Sequence, residues 1–192
     1  MDAALGRQPD PAFVEAELTR LLDHAPHGWT AEPLAHNLHN AVTAGIWRVR
    51  SDGLTAVLKV LSGAQTDDGR WVGSSDPRDW NYWEREALAY ESGLAQRWER
   101  FGLRAPRLLE SFRRSDGTIA LWLEHVDGST GAGWTIDGLE TMVVGLGTAQ
   151  GELTRGATDE LPWTSRRFLR SYVGRSTSAG ISSRTTTRGP SR

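Results

Sequence analysis

The sequence lacks cysteine altogether and contains a single lysine among its 192 residues. Without cysteine the chain forms neither a disulfide nor a thiolate metal site. No apolar run approaches the roughly 20 residues that span a bilayer. Residues 1–5 have neither a basic segment nor an apolar core, so they do not resemble a signal peptide. We therefore expect a cytoplasmic protein with no membrane partner.

An excess of charge of one sign is also missing. The 22 lysine and arginine residues nearly balance 24 aspartate and glutamate residues, which leaves a net charge of −2. A chain this close to neutral has no overall field that would collect nucleic acid. Hydrophobic residues make up 38 % of the chain, below the usual globular share, which indicates a segment that packs poorly.

That segment is the tail, residues 175–192, where Ile181 is the sole large apolar side chain. Such a composition cannot bury enough surface to offset the entropy lost on ordering, so we predict disorder. The tail carries four arginines and no acidic residue. A nucleic-acid contact through this arm is the weaker alternative, since the charges are spread out and no aromatic residue accompanies them.

Two hairpins and several amphipathic helices can be read along the chain. Asp10 followed by Pro11 is typical of a helix start, whereas residues 24–33 are predicted to form a loop. Turn residues at 51–53 and 115–117 separate strands predicted at 46–50, 54–61, 108–112 and 119–126. Apolar spacing predicts helices at 80–98, 136–153 and 163–173. This order predicts an α+β fold with an antiparallel sheet.

Lys59 stands in the apolar run Ala56-Val57-Leu58-Lys59-Val60-Leu61. An ammonium group flanked by apolar residues needs a partner, because an unpaired buried charge costs free energy. Lysine also offers a compact point charge to a phosphate. A purely structural interpretation is a strand residue whose head reaches water at the sheet edge.

The joint order of these elements resembles the aminoglycoside phosphotransferase and choline kinase-like family, and specifically its protein-kinase-like N-terminal lobe. The resemblance covers roughly residues 31–173 and rests on five short phrases, none specific alone. They are Ala44-Gly45-Ile46-Trp47-Arg48-Val49, Ala56-Val57-Leu58-Lys59-Val60, Trp83-Glu84-Arg85-Glu86-Ala87, Leu123-Glu124-His125-Val126-Asp127-Gly128 and Leu146-Gly147-Thr148-Ala149-Gln150-Gly151.

The resemblance implies ATP, with Mg²⁺ in the complete family, as the nucleotide. Lys59 matches the strand lysine that holds the α- and β-phosphates, and Glu86 matches the helix glutamate that pairs with it. Glu84 is the rival, two residues away on another side of the helix. The apolar stripe that includes Ala87 favours Glu86.

Two further parts of a nucleotide site follow from the same resemblance. The loop that covers the nucleotide matches residues 37–45, where Asn40, Thr43 and Gly45 are the positions of interest. This loop contains a single glycine, whereas several glycines favour a close approach of the backbone to phosphates. Glu124 and Val126 match the hinge whose backbone groups pair with the adenine edge.

The catalytic residues of phosphoryl transfer are missing from this sequence. The family carries a His-x-Asp-x-x-x-x-Asn loop and a later metal-binding aspartate. His-x-Asp occurs once, at His125–Asp127, but it falls at the hinge, and residue 132 is alanine where asparagine would stand. The other histidines, His24, His27, His36 and His39, lie before Lys59 and do not have helical metal-ligand spacing, so the sequence predicts no metal site. We expect a truncated or frameshifted phosphotransferase fragment that is inactive alone.

The predicted organisation has four parts: an N-terminal helix and linker (1–28), a kinase-like lobe (29–127), a linker with incomplete C-lobe helices (128–174) and the tail (175–192). The acceptor, a small molecule in the intact family, cannot be read from this sequence. Self-association through exposed apolar helices is expected. The alternative function is a non-catalytic nucleotide- or protein-binding module, since nine tryptophans are many for this length, although they could equally fill a core.

Overall fold

A computed structural model describes residues 8–64, 72–128, 133–155 and 161–165. Its helices are α1 (Pro11–Leu22), α2 (Arg85–Glu91), α3 (Leu94–Arg97) and α4 (Ile136–Arg155), with a 3₁₀ turn at Glu99–Phe101. Its strands are β1 (Thr30–Pro33), β2 (Thr43–Ser51), β3 (Leu54–Leu61), β4 (Leu108–Arg113) and β5 (Ile119–Glu124).

The strands form one five-stranded sheet in the order β1-β2-β3-β5-β4, and every neighbouring pair is antiparallel. The predicted α+β class with an antiparallel sheet is therefore confirmed. β3 lies at the centre, paired with β2 on one side and β5 on the other. Residues on β3 are thus held by ladders on both sides, which makes it a rigid place to mount a side chain.

Turn chemistry explains both hairpins. Asp52 and Gly53 adopt positive φ values of 44° and 79°, which is the conformation that a two-residue hairpin loop requires. In the second turn, Gly117 has a φ of 81° and Asp116 accepts hydrogen bonds from Thr118. The two predicted hairpins are confirmed, although β5 ends at Glu124 and not at residue 126.

Helix α1 covers one face of the sheet. The Asp10 carboxylate accepts a hydrogen bond from the Ala12 backbone N–H at 2.9 Å, so the predicted cap is present. The fully buried side chains of Val14 and Leu18 pack into this face. The sheet contributes Trp47, Val49, Ala56, Leu58, Val60, Ala120 and Trp122.

Helix α2 covers the opposite face. Its Ala87 is fully buried against Val42, Leu61, Ile119, Leu121 and Leu123. Side chains alternate along β3, so the residues next to Leu58 and Val60 point toward α2. Lys59 is one of them, which places the single lysine of the chain beneath α2.

Two sequence expectations about local structure are wrong. Residues 24–33 include a short strand, β1, which pairs with β2 along the sheet edge and ends at Pro33. A proline there costs no ladder bond because it lies on an edge strand. The predicted helix at 80–98 begins at Arg85 and is interrupted at Gly93, whose φ of 72° is left-handed.

Helix α4 exists as predicted, but its apolar stripe does not pack throughout. Ile136 and Val143 are 82 % and 60 % exposed. The helix contacts the 3₁₀ turn through Gly145, where a Cβ atom would lie 2.6 Å from the carbonyl oxygen of Phe101. The predicted helix at 163–173 and the tail lie almost wholly outside the described residues.

Candidate functional site

An ion pair joins the central strand to the helix above it. The Lys59 Nζ donates hydrogen bonds to both carboxylate oxygens of Glu86, at 2.6 and 2.8 Å. The Lys59 side chain is 18 % exposed and that of Glu86 is 37 % exposed. The ammonium group is therefore held in one place while water still reaches the pair.

Packing on both sides fixes where the two groups meet. Lys59 lies opposite Ile46 on β2 and Leu121 on β5. Ala87, the residue after Glu86, is fully buried against the sheet, and this contact fixes the distance between α2 and the sheet. A partly exposed pair of this kind contributes little to stability, about 0–1 kcal/mol. The pair therefore positions the Lys59 ammonium more than it stabilises the fold.

Glu84 occupies a different environment. Its carboxylate lies 3.7 Å from the Arg113 guanidinium, on the side of α2 that faces β4. Burial and the neighbouring Glu84 charge raise the pKa of the Tyr82 hydroxyl. Of the two glutamates, Glu86 is the one that contacts Lys59, and Glu84 belongs to the β4 side.

The loop between β1 and β2 is shaped by its asparagines. The Asn37 side chain accepts a hydrogen bond from the His39 N–H at 3.0 Å, and the Asn40 side chain accepts one from the Val42 N–H at 3.2 Å. Thr43 then opens β2 opposite Leu61. Asn40 and Thr43 thus define the path of this loop, and their contact with a nucleotide stays a prediction.

Gly45 has a packing role that the sequence does not reveal. A Cβ atom at this position would lie 2.0 Å from the Trp47 ring, so a larger residue would overlap the indole. The neighbouring ladder is irregular between Thr43 and Gly45, as expected for a bulge. Glycine is therefore required here by Trp47, whatever its role toward a phosphate.

The predicted hinge lies at the end of β5. The Glu124 carboxylate accepts hydrogen bonds from the Arg107 N–H at 3.0 Å and from the Arg104 guanidinium at 2.6 Å. The Arg107 backbone bond, followed by the attraction of Arg104, lowers the pKa of Glu124. Val126 is 52 % exposed. The Glu124 side chain thus anchors the segment before β4, and the adenine role of both residues stays a prediction.

The His-x-Asp sequence lies in the same exposed segment. His125 Nδ1 is 3.6 Å from the Asp127 carboxylate, and the Asp127 side chain is 99 % exposed. A fully solvated aspartate cannot be aimed at a substrate by its surroundings. This geometry agrees with the interpretation that the sequence match is coincidental.

Arg85 is a structural residue that the sequence reasoning missed. Its guanidinium donates to the carbonyl oxygens of Pro77, Asp79, Trp80 and Trp163 at 2.6–2.9 Å. Burial lowers the pKa of this group. By gathering these carbonyls, Arg85 holds residues 77–80 in turns and sets the start of α2, which explains why the predicted helix begins five residues late.

An apolar cavity of about 390 Å³ adjoins Glu86. Tyr90, Leu94, Trp98, Leu103 and Leu146 line it, so it lies between α2, α3 and α4. Burial, followed by the negative charge of Glu86, raises the pKa of the Tyr90 hydroxyl. Glu86 thus borders an apolar cavity and also contacts Lys59.

Comparison of the chain with family models, curated proteins and solved structures finds no significant match. In the described part of the chain, no helix combines the length and the apolar character needed to cross a membrane.

Proposed function

We propose that this chain binds the phosphates of ATP at Lys59, in a nucleotide-binding lobe of the aminoglycoside phosphotransferase and choline kinase-like type. The observation that carries the proposal is the bidentate contact of Glu86 with Lys59. The contact sits on the central strand of an antiparallel sheet, under a helix. Such a pair fixes an ammonium where a phosphate arrives.

The surroundings of the pair support this proposal. Lys59 lies one residue pair from the bulged start of β2, so the loop that precedes β2 lies near the same end of the hairpin. The ammonium is the compact donor that phosphate binding uses. Arg48 and Arg50 lie on the same strand face as Ile46, but both pair with Glu32, at 3.4 and 3.7 Å, so Lys59 is the cation that this proposal uses.

The residues near Lys59 fit a phosphate better than they fit a metal. A Mg²⁺ ion takes carboxylate oxygens in octahedral geometry, and Glu86 is already engaged with Lys59. We therefore assign Mg²⁺ to the bound nucleotide and no step of chemistry to it. The sequence also lacks the His-x-Asp-x-x-x-x-Asn loop, so the proposed activity is nucleotide binding without phosphoryl transfer to a small-molecule acceptor.

Calorimetric titration of the full chain with MgATP tests this function. Lys59→Met keeps an unbranched side chain of similar size and removes its charge, so we expect affinity to fall at least roughly tenfold, or about 1.4 kcal/mol. Glu86→Gln should weaken binding less, because the ammonium stays but loses its orientation.

Glu84→Gln is the matched control, since it removes the same charge two residues away, at the residue that precedes α2. It should leave the MgATP affinity unchanged. Equal affinities for the wild type and Lys59→Met, each with a cooperative unfolding transition, would contradict the proposed function. An equal loss of MgATP affinity in Glu86→Gln and Glu84→Gln would also contradict it, because the loss would then reflect the removal of any negative charge in this region.

A non-catalytic module that binds a second copy of this chain is the alternative function. The exposed apolar side chains of α4, Ile136, Leu139, Val143 and Val144, favour it. Sedimentation of the wild type and of Val143→Glu separates the two functions. The alternative predicts an oligomer that the charge disrupts, whether or not nucleotide is present.

A further inference from the structure

We propose a divalent transition-metal site formed by His24, His27 and Asp52, with Zn²⁺ as the best-suited ion. One ligand atom from each of the three side chains lies within 4.8 Å of the others. Two imidazole nitrogens and one carboxylate oxygen form a set that binds Zn²⁺ and leaves a fourth position for water. This site is independent of the nucleotide function proposed above.

The site is remote from Lys59. It joins the segment that follows α1 to the tight turn between β2 and β3. Lys59 is seven residues from Asp52 along the hairpin, a separation of roughly 24 Å at about 3.4 Å per residue. Metal binding at the turn and nucleotide binding at Lys59 can therefore be measured separately.

The position of Asp52 is set by its backbone. The residue lies in the left-handed region with a φ of 44°, as the two-residue turn requires. Its carboxylate oxygen Oδ2 accepts a hydrogen bond from the His27 backbone N–H at 3.0 Å. The Ser51 hydroxyl donates to the Gly28 carbonyl oxygen at 2.7 Å. These bonds hold the His27–Gly28 segment against the turn before any ion binds.

The geometry between His27 and Asp52 already matches that of two ligands on one ion. His27 Nδ1 lies 3.3 Å from Asp52 Oδ1. Two ligand atoms on a tetrahedral zinc are about 3.4 Å apart when each bond is roughly 2.0–2.2 Å. An ion can therefore bridge these two atoms with little movement of either side chain.

His24 completes the set, and its tautomer favours a metal. Its Nδ1 lies 2.9 Å from the Ala25 carbonyl oxygen, which can only accept, so Nδ1 carries the proton. The lone pair is then on Nε2, the atom free to bind an ion. A backbone carbonyl that fixes the ring in this way is the usual support of a metal-binding histidine. The ring centroids of His24 and His27 are 5.8 Å apart, so both imidazoles lie beside the turn that carries Asp52.

Zn²⁺ titration of the full chain, prepared without an added histidine tag, tests this site. We expect one ion per chain, and at least a tenfold loss of affinity in each of His24→Ala, His27→Ala and Asp52→Asn. Loss of a group that only supports a metal ligand often lowers metal affinity 10–100-fold, and these three residues are the proposed ligands themselves. Asn tolerates the left-handed turn, so Asp52→Asn keeps the hairpin.

A double variant, His36→Ala with His39→Ala, is the matched control, because it removes two other loop histidines and should bind Zn²⁺ like the wild type. Two results from the wild type alone complete the test. Zn²⁺ should shift the ring resonances of His24 and His27 and leave those of the other three histidines in place. At about a hundred times the Kd it should raise the Tm by roughly 5–10 °C. Stoichiometric binding that persists in the three ligand variants, or no binding at all, would overturn the proposal.

Discussion

The two faces of the sheet each carry an ion pair, and the pairs differ in their access to water. Under α1, the Arg114 guanidinium donates to both Glu17 oxygens at 2.7 and 2.8 Å, and each side chain is 5 % exposed. Under α2, the Lys59–Glu86 contact is equally short, but its side chains are 18 % and 37 % exposed. The same kind of ion pair is therefore buried on one face of the sheet and accessible to solvent on the other.

The buried pair has a third partner. Trp122 on β5 donates its indole N–H to Glu17 at 2.8 Å, and Arg114 lies 4.8 Å from the centre of the Phe13 ring. Every strong hydrogen-bonding atom of the Glu17 carboxylate is thus used within the protein. A ligand cannot reach a pair whose side chains are 5 % exposed, whereas the Lys59 ammonium is partly exposed and has a third N–H beyond its two bonds to Glu86.

The largest predicted effect comes from breaking the buried pair. Glu17→Ala leaves Arg114 charged and the Trp122 N–H unpaired in the core, so we expect a loss of about 3–5 kcal/mol in unfolding free energy. Urea denaturation measures it. Glu15→Ala, at an exposed position of the same helix, should change stability by no more than about 0.5 kcal/mol. A loss below about 1 kcal/mol for Glu17→Ala would contradict the structural role.

Replacing both buried partners should cost less than removing one. In the double variant Glu17→Met with Arg114→Met no buried charge remains, and the main cost is the unpaired Trp122 N–H, about 1–3 kcal/mol. The same denaturation experiment compares it with Glu17→Ala. A double variant less stable than Glu17→Ala would contradict this prediction. It would show that the pair itself stabilises the fold, beyond the cost of leaving one charge unpaired.

On the accessible face the same kind of change should be mild. Lys59→Met removes a partly exposed pair, so the expected loss of unfolding free energy is no more than about 1 kcal/mol. This stability change is the counterpart of the proposed tenfold loss in MgATP affinity. A stability loss as large as that of Glu17→Ala would show that the two pairs are alike and that the Lys59 pair is structural.

The smallest predicted effect is a pH dependence on the accessible face. Burial raises the pKa of Tyr90 above its ordinary value of 10.0, so the folded state retains the proton where the unfolded state loses it. Stability from this group is full below pH 10 and falls as pH rises above 10 toward the folded pKa. The unfolding free energy of Tyr90→Phe should therefore decline less steeply between pH 9 and 11 than that of the wild type. Parallel declines would contradict the shift.

Local signals in the sequence predicted the local parts of this fold. The Asp-Gly turns and the Asp10 cap both depend on neighbouring residues, and both are present. The antiparallel sheet followed from the two hairpins. The apolar strand predicted that Lys59 needs an anionic partner, and the family resemblance, with the apolar stripe of the helix, indicated Glu86, which makes the contact.

Long-range contacts were the parts that sequence reasoning missed. Glu17 is 97 residues from Arg114 and 105 from Trp122, so no spacing rule links them. Arg85 binds Trp163 across 78 residues, and its bonds to the carbonyls of residues 77–80 shorten α2. His24 and His27 approach Asp52 only after the turn has formed. Periodicity reports which face is apolar, and it contains no information on which distant polar groups meet.

The most direct test of the Lys59 assignment uses the fact that Lys59 is the single lysine of the chain. An amine-reactive reagent should label just two sites, Lys59 and the α-amino group, and mass spectrometry resolves them. We predict that saturating MgATP slows labelling of Lys59 several-fold while the α-amino group reacts at an unchanged rate. Equal labelling of Lys59 with and without MgATP would contradict phosphate binding at this residue.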